Sequence, residues 1–395
     1  MIFVYVLLFL IAYLIGSILP GYFIAKSKGI DIFKKGYKLP GTSNVRKVLG
    51  IKYAIITGAY DFLKPILVFL ICFLLDKYVI DLNNWFIFFL PFVVIIGHIF
   101  PFYLKFRGGH GLASCFGFMF FLFFYLIFNN LLNFYFFLIF LFLSLIFFIV
   151  LKKKYSTQVG CLAVIYLFTV LTLISFKPEI PYIALLTLEI FMIFNVIFFD
   201  FLEKLKRGKI KKDKTIWRKI LRPLASIFPI GFLFIPQPTF ILVIFLFFCF
   251  LIMEIIKFVK KKLIKQIYRE KERKGVSSFI YFFVSVILCF YFFDKVIATF
   301  AIFILIFSDL FAFILGSIYG RKKIGEKSIF GSFIFFFSSF LIAIAYYKFF
   351  SLSLLFSLPS ILLATLIELI PLKIDDNLTI PLSICIFLTI LKRIF

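Results

Sequence analysis

Apolar runs of about twenty residues follow one another along the whole chain, and that repetition constrains the fold more than any other feature. A helix of about 20 apolar residues crosses the roughly 30 Å hydrocarbon core of a bilayer. Dividing the runs at charged, proline or asparagine breaks gives about fourteen candidate spans. They centre near residues 13, 65, 94, 120, 141, 166, 191, 226, 248, 285, 307, 338, 361 and 385. With 64% of 395 residues hydrophobic and 16% charged, such a surface would not dissolve in water. A disordered chain, a disulfide-knotted secreted domain and an ordinary aqueous globule are excluded. The expected fold class is an all-α polytopic membrane protein of about fourteen transmembrane helices in two seven-helix halves.

The 44 Lys and Arg against 18 Asp and Glu leave a net charge of +26. In a soluble chain that balance would suggest nucleic acid; in a membrane protein basic residues report orientation, and no nucleic-acid partner is expected. Basic loops at Lys26 to Lys47, Lys105 to Arg107, Lys152 to Lys154 and Lys204 to Lys214 alternate with loops of little net charge. The alternation continues to Lys373, so the positive-inside rule places the basic loops in the cytoplasm and the N-terminus outside. The expected location is the plasma membrane, multi-pass. Charge density jumps at 203–216, read as a basic linker between a domain at 1–202 and another at 217–395. The first apolar run, Ile2 to Ala25, reads as a retained helix. All six cysteines stand singly in apolar runs, so neither a disulfide nor a zinc framework is expected. The abundance of phenylalanine carries no functional reading.

Polar and glycine-rich clusters recur at the basic loops of the first half. Gly16-Ser17 and Gly21-Tyr22 close the first span; Gly36, Gly41, Asn44 and Gly50 fill the first loop; Gly108-Gly109-His110-Gly111 follows Lys105 and Arg107. Glycine lets backbone N–H groups converge on an anion, and nearby Lys or Arg completes a phosphate cradle. Glycine also lets membrane helices pack closely. In order, with Asp61, Lys64 and Gly97-His98-Ile99-Phe100-Pro101-Phe102, these elements resemble the bacterial acyl-phosphate:glycerol-3-phosphate acyltransferase family, clearly over about residues 5 to 120 and weakly to about 210. The resemblance implies seven spans and transfer of an acyl group from acyl phosphate to the 1-hydroxyl of glycerol 3-phosphate. It implies catalytic roles for Ser17 and Asn44, and phosphate binding by Lys47, Lys105, Arg107, Gly108, Gly109, His110 and Gly111. The chain departs from the family at Gly36-Tyr37-Lys38-Leu39, where Gly-Ser-Gly-Asn is usual, at Phe33 for an Arg, and at His110 for a Lys. Near Phe198 to Phe201, where a His and an Asn are expected, only Phe and Asp occur.

In the second half Ser308-Asp309 is followed by Gly316, Gly320-Arg321-Lys322, Lys327-Ser328, Gly331-Ser332, Glu368 and Asp375-Asp376-Asn377. Carboxylates near a membrane are costly and by default functional. An Asp-Asp-Asn at a span end opposite a Lys-Ser loop reads as hard oxygen ligands for Mg²⁺ facing a polyphosphate. A solvated helix cap is the plainer reading of any single Asp. Together with Arg218-Lys219, Glu254 and the run Arg269 to Arg273, these motifs resemble the CTP-dependent lipid kinases that act on dolichol, phytol or diacylglycerol. The resemblance implies Asp375, Asp376 and Asp309 as metal-binding or hydroxyl-activating groups, with Mg²⁺ on Asp375 and Asp376. Arg321, Lys322 and Lys327 would neutralise phosphate, and Ser328, Gly331, Ser332 and Asn377 would cradle CTP. Arg222 stands where that family usually has His.

Glycerol 3-phosphate, acyl phosphate, CTP and membrane lipids are thus the expected partners. Two competing readings remain: a transporter, whose ionisable groups would sit near the midplane, or a first half that only binds lipid beside an active kinase half. Glu189 has no account from sequence.

Overall fold

The computed structural model describes residues 2–206, 222–259, 276–325, 327–370 and 374–394. Most of the expected linker 203–216, and Arg218, Lys219 and the run Arg269 to Arg273, lie outside the described residues. The chain forms two compact units, Met1–Phe199 and Asp200–Phe395.

The first unit runs through α1 (Ile2–Ser17), α2 (Pro20–Ser27), α3 (Thr42–Leu49), α4 (Ile51–Tyr78), α5 (Asn84–Ile99), α6 (Leu112–Phe128), α7 (Phe134–Lys154), α8 (Thr157–Ser175) and most of α9 (Ile180–Lys206), whose last residues belong to the second. The second contains α10 (Ile227–Phe234), α11 (Pro236–Val259), α12 (Ser278–Phe292), α13 (Lys295–Phe303) and α14 (Asp309–Tyr319). After a two-residue antiparallel ribbon, β1 (Lys323–Ile324) with β2 (Lys327–Ser328), come α15 (Ile329–Phe350), α16 (Leu354–Leu369) and α17 (Asp376–Ile394). Among the described residues, nine helices are long and apolar enough to cross a membrane, or ten if the bent pair α1 and α2 is one span. The expected count of fourteen is therefore not reached by length. The other apolar helices, Leu112–Phe128, Arg222–Phe234, Ser278–Phe292 and Leu354–Leu369, are shorter. At Arg222–Phe234 the cause is local: Pro223 and Pro229 each remove a backbone donor, and Pro236 already opens the next helix.

Residues that break the apolar runs serve as helix caps. Asn83 accepts from the Trp85 N–H, Asn133 from Tyr135, Ser156 from Val159 and Asp294 from Val296. Each side chain occupies one of the donors that a helix start leaves orphaned, so these polar residues stop one span and begin the next. Lipid offers little hydrophobic drive for helix pairing, so close backbone approach has to supply it. Helices α1 and α5 meet in that way: a Cβ on Gly16 would collide with the Val94 carbonyl oxygen. Around them Phe69, Phe88, Phe118, Phe123, Phe137 and Phe168 form the buried core, with Phe69 edge-on to Phe88 at 5.1 Å. Helix α7 is apolar all round but buries only Phe137 and Ser144, the pattern of a helix facing lipid.

Candidate functional site

The site in the first unit starts from a broken helix. Pro20 has no N–H, so the Gly16 carbonyl loses the donor that an unbroken helix would provide, and the chain bends by 45° between α1 and α2. The Lys64 ammonium fills the gap, donating to the Gly16 oxygen at 2.9 Å and the Ile18 oxygen at 3.3 Å. Lys64 also pairs with the Asp61 carboxylate at 3.1 Å and contacts His98 Nδ1 at 2.8 Å. The same Nδ1 lies 3.3 Å from the Asp61 carboxylate, so the imidazole meets both charges of the pair. Asp61, Lys64 and His98 are all buried, the first two inside α4 and His98 in the last turn of α5.

Nε2 of His98 faces the glycine loop. A Cβ on Gly109 would collide with it, and the loop is clasped to the end of α5 by Gly108 N–H to the Ile99 oxygen (3.0 Å) and Gly109 N–H to the His98 oxygen (3.2 Å). Before the loop, Lys105 and Phe106 both adopt left-handed backbone, with φ of 53° and 59°. Consecutive non-glycine residues in that region store strain of the kind concentrated at binding loops. Lys105 and Arg107 are exposed; the Tyr103 hydroxyl donates to the Ser17 oxygen at 2.8 Å, bringing this segment to the α1/α2 break. Tyr22 joins the first loop to the same place, its ring 6.1 Å from Phe33 and 6.0 Å from Tyr103.

The sequence-assigned residues therefore separate by role. Ser17 is buried at the break, its hydroxyl donating to the Tyr13 oxygen at 2.9 Å. Asn44 is buried and braces the first loop: its oxygen accepts from the Tyr37 N–H at 2.6 Å, and its amide nitrogen reaches the oxygens of Ile32, Lys35 and Leu39. Lys47 is exposed, over the Tyr37 ring at 4.5 Å. His110 stacks on Phe199 at 4.3 Å; burial, and secondarily His98 nearby, push its pKa down to about 4, so this position is uncharged at neutral pH. Ser114, in the first turn of α6 after Gly111, has a buried hydroxyl with no partner among the described residues. Asp61, Lys64 and His98 lay within the quoted motifs but were given no role. Glu189, unexplained from sequence, is fully buried and accepts from the Thr172 hydroxyl at 2.9 Å.

In the second unit the dispersed polar residues gather. A five-residue π-helical stretch, Ile304–Ser308, delivers Asp309; such bulges are common at functional sites. Arg222 pairs with the Asp309 carboxylate and with the Asn377 side-chain oxygen. Asp375 accepts from the Ser278 hydroxyl at 2.9 Å and from the Asn377 N–H at 3.0 Å. Lys327 reaches Asp376 at 2.6 Å and Glu368 at 3.5 Å, and Glu368 accepts from the Ser332 hydroxyl at 2.5 Å. Burial opposes the Lys327 charge, but the carboxylates of Asp376 and Glu368 outweigh it and hold the pKa above that of an ordinary lysine. Ser328 caps α15, accepting from the Gly331 N–H at 3.0 Å. Gly320 has no room for a Cβ, which would run into the Ser328 side chain. Arg321 and Lys322 are exposed beside β1. Arg222, Ser278 and Glu368 are members of the cluster that no sequence assignment included. Glu254 accepts from the Ser277 N–H at 3.1 Å.

Among the described residues no group of three or more His, Cys, Asp or Glu side chains is arranged to hold a metal. Mg²⁺ is commonly held by one or two carboxylates together with substrate phosphates. Asp375 accepts from Ser278 and Asn377 while Asp376 is paired with Lys327, so the two adjacent carboxylates are engaged by different partners.

Comparison with known proteins matches residues 6–208 to the family Glycerol-3-phosphate acyltransferase. The glycerol-3-phosphate acyltransferase of Aquifex aeolicus is 37% identical over 113 residues, 29% of this chain and 57% of that protein. One from Thermus thermophilus is 34% identical over 113 residues, 29% of this chain and 54% of that protein. The chain thus spans a little over half the length of these curated relatives. The crystal structure of PlsY (YgiH), an integral membrane glycerol 3-phosphate acyltransferase in its glycerol 3-phosphate form, aligns over 52% of this chain and 92% of that one. The identity is 24% and the TM-score 0.39.

Proposed function

The chain belongs to the glycerol-3-phosphate acyltransferase family, and from that premise we propose that its first unit transfers an acyl group from acyl phosphate to the 1-hydroxyl of glycerol 3-phosphate. The observation that supports the reading is that the Tyr103 hydroxyl donates to the Ser17 carbonyl, bringing the segment that carries Lys105, Arg107 and the Gly108 to Gly111 loop to the α1/α2 break. An acyl phosphate is already activated: the glycerol hydroxyl oxygen bonds the acyl carbon as the carbon–oxygen bond to phosphate breaks, and the hydroxyl proton leaves with the departing phosphate. The protein then has to orient two anions and offset their charge, without a covalent nucleophile. Lys47, Lys105 and Arg107 supply exposed cations, while the backbone N–H groups after Gly111 and the Ser114 hydroxyl lie at the α6 N-terminus, where anions are favoured. Neutral His110 removes one positive charge from the usual loop, which favours weakened phosphate affinity over altered chemistry. Asn44 acts in this reading by shaping the first loop.

For the second unit the function we infer is phosphoryl transfer from CTP to a polyprenol, phytol or diacylglycerol hydroxyl. The supporting observation is that two sets of polar contacts join residues far apart in sequence: Arg222 bridges Asp309, within the helical stretch Lys295–Tyr319, and Asn377, while Lys327 bridges Asp376 and Glu368, which holds Ser332. Asp375 and Asp376 would hold Mg²⁺, which when bound neutralises phosphate charge. Lys327, with Arg321 and Lys322 exposed nearby in sequence, would bind the phosphates, and Ser328, Gly331, Ser332 and Asn377 would cradle the nucleotide. Each unit would work at the cytoplasmic face of the plasma membrane, as its basic loops indicate.

The test is to purify the full chain and assay label transfer from γ-labelled CTP to lipid separately from acyl transfer to glycerol 3-phosphate. Both activities support the two-enzyme reading. Labelling without acylation leaves the first unit as a lipid-binding module, and solute flux without chemistry makes the protein a transporter.

A further inference from the structure

Three buried polar residues in the first unit stand outside every role assigned so far. Asp61 and Lys64 lie on α4 and His98 on α5, and together they touch both parts of the acyl-transfer site. On one side the Lys64 ammonium binds the two carbonyls left at the α1/α2 break beside Ser17. On the other, the same ammonium and the Asp61 carboxylate both contact His98 Nδ1, and the His98 ring lies against Gly109, where even a methyl group would collide with Nε2. Asp61 makes this arrangement tolerable in an apolar interior, because a buried ammonium without a counter-charge would lose its proton or draw in water. Ionisable groups inside a membrane helix are costly unless they serve a purpose, and the hydrogen bonds of these three side chains run to one another and to the carbonyls at the break.

We propose that Asp61, Lys64 and His98 are positioning residues: a buried relay that locks the α1/α2 break to the glycine loop, so that the two sides of the substrate site form only together. The inference rests on the acyl-transfer reading for its catalytic consequence, but not for the coupling itself. The relay contributes no group to the reacting atoms. Its effect is to hold Ser17 and the Gly108 to Gly111 loop in one mutual arrangement, which matters for a reaction that depends on orientation.

The experiment measures amide hydrogen exchange of the substrate-free full chain in lipid nanodiscs, together with kcat and KM for acyl transfer. Lys64→Met is expected to speed exchange in both 16–27 and 106–114, and to lower kcat about 100-fold with each KM within about 3-fold. Lys64→Arg restores part of the rate, since a guanidinium still donates to both sides. His98→Asn, whose amide oxygen can accept from Lys64, retains more activity than His98→Leu. Where Lys64→Met fails to fold, Gly109→Ala gives an independent check: by displacing the His98 ring it should loosen 16–27, a segment it does not touch. Faster exchange confined to 106–114, or a raised KM at unchanged kcat, overturns the proposal. A wild-type chain with no acyl transfer, in which both segments still loosen together, overturns the acyl-transfer reading and leaves the coupling standing.

Discussion

The two units use the same ion-pair chemistry at different depths, one pair sealed and the other partly open to solvent. Lys64 and Asp61 are each 1% exposed, whereas Lys327 and Asp376 are 25% and 32% exposed. A pair sealed in the interior exchanges with nothing, so it can only hold architecture. A pair open to water at a helix end can release its partner to a polyphosphate. The difference teaches that a Lys–Asp contact in a membrane protein is informative only with its solvent access: in the proposed reading the first unit commits its buried charges to shape and leaves exposed cations for ligand, while in the second unit the charges that pair would also meet the ligand.

Substitutions sharpen that contrast, and the largest effect belongs to the second unit. Asp375→Ala should reduce CTP-dependent lipid labelling at least about 10³-fold, measured by label transfer, while barely changing the thermal midpoint. Retained labelling would make the carboxylate a helix cap and nothing more. Next, Lys64→Met should cost the first unit about 3–5 kcal/mol by leaving Asp61 buried without a counter-charge. Lys327→Met in the second unit should cost less, because Asp376 is 32% exposed and water can replace its partner, although Glu368 at 6% also loses its cation. Thermal or denaturant unfolding of both variants in one detergent tests the pair, and equal losses would erase the distinction. Lys105→Ala should raise KM for glycerol 3-phosphate about 10-fold at nearly constant kcat, as expected of a charge-assisted phosphate contact.

The smallest effect is a pH dependence. His110 is held neutral with a pKa of about 4, against 6.5 for the ordinary side chain. Between those values the unfolded chain binds the proton more readily than the folded one. The stability that neutral His110 contributes is therefore complete above about pH 6.5 and declines as pH falls toward 4. Thermal midpoints of wild type and His110→Asn should diverge from their neutral-pH difference across that window, with the variant showing the shallower decline.

Much of the architecture was legible because polar breaks cap helices by local rules: Asn83, Asn133, Ser156 and Asp294 each bond a donor two or three residues away. The span count was less legible, because crossing a membrane depends on uninterrupted helix length, and the prolines around Arg222–Phe234 shorten that helix. Motif order also pointed to the glycine loop and to the Asp375 to Asn377 cluster. The roles inside those motifs did not follow. Asn44 looked like a reacting group, yet its amide is engaged with four backbone groups of the first loop.

By itself the sequence determined that this chain belongs in lipid and where its helices begin, since hydropathy and capping act over a few neighbouring residues. Only the tertiary structure decided which polar residues meet. Lys64 and His98 are 34 positions apart, and Arg222 lies 87 from Asp309 and 155 from Asn377. No local pattern encodes such separations; they close when helices pack and buried charges must find partners in an interior that offers no water to replace them.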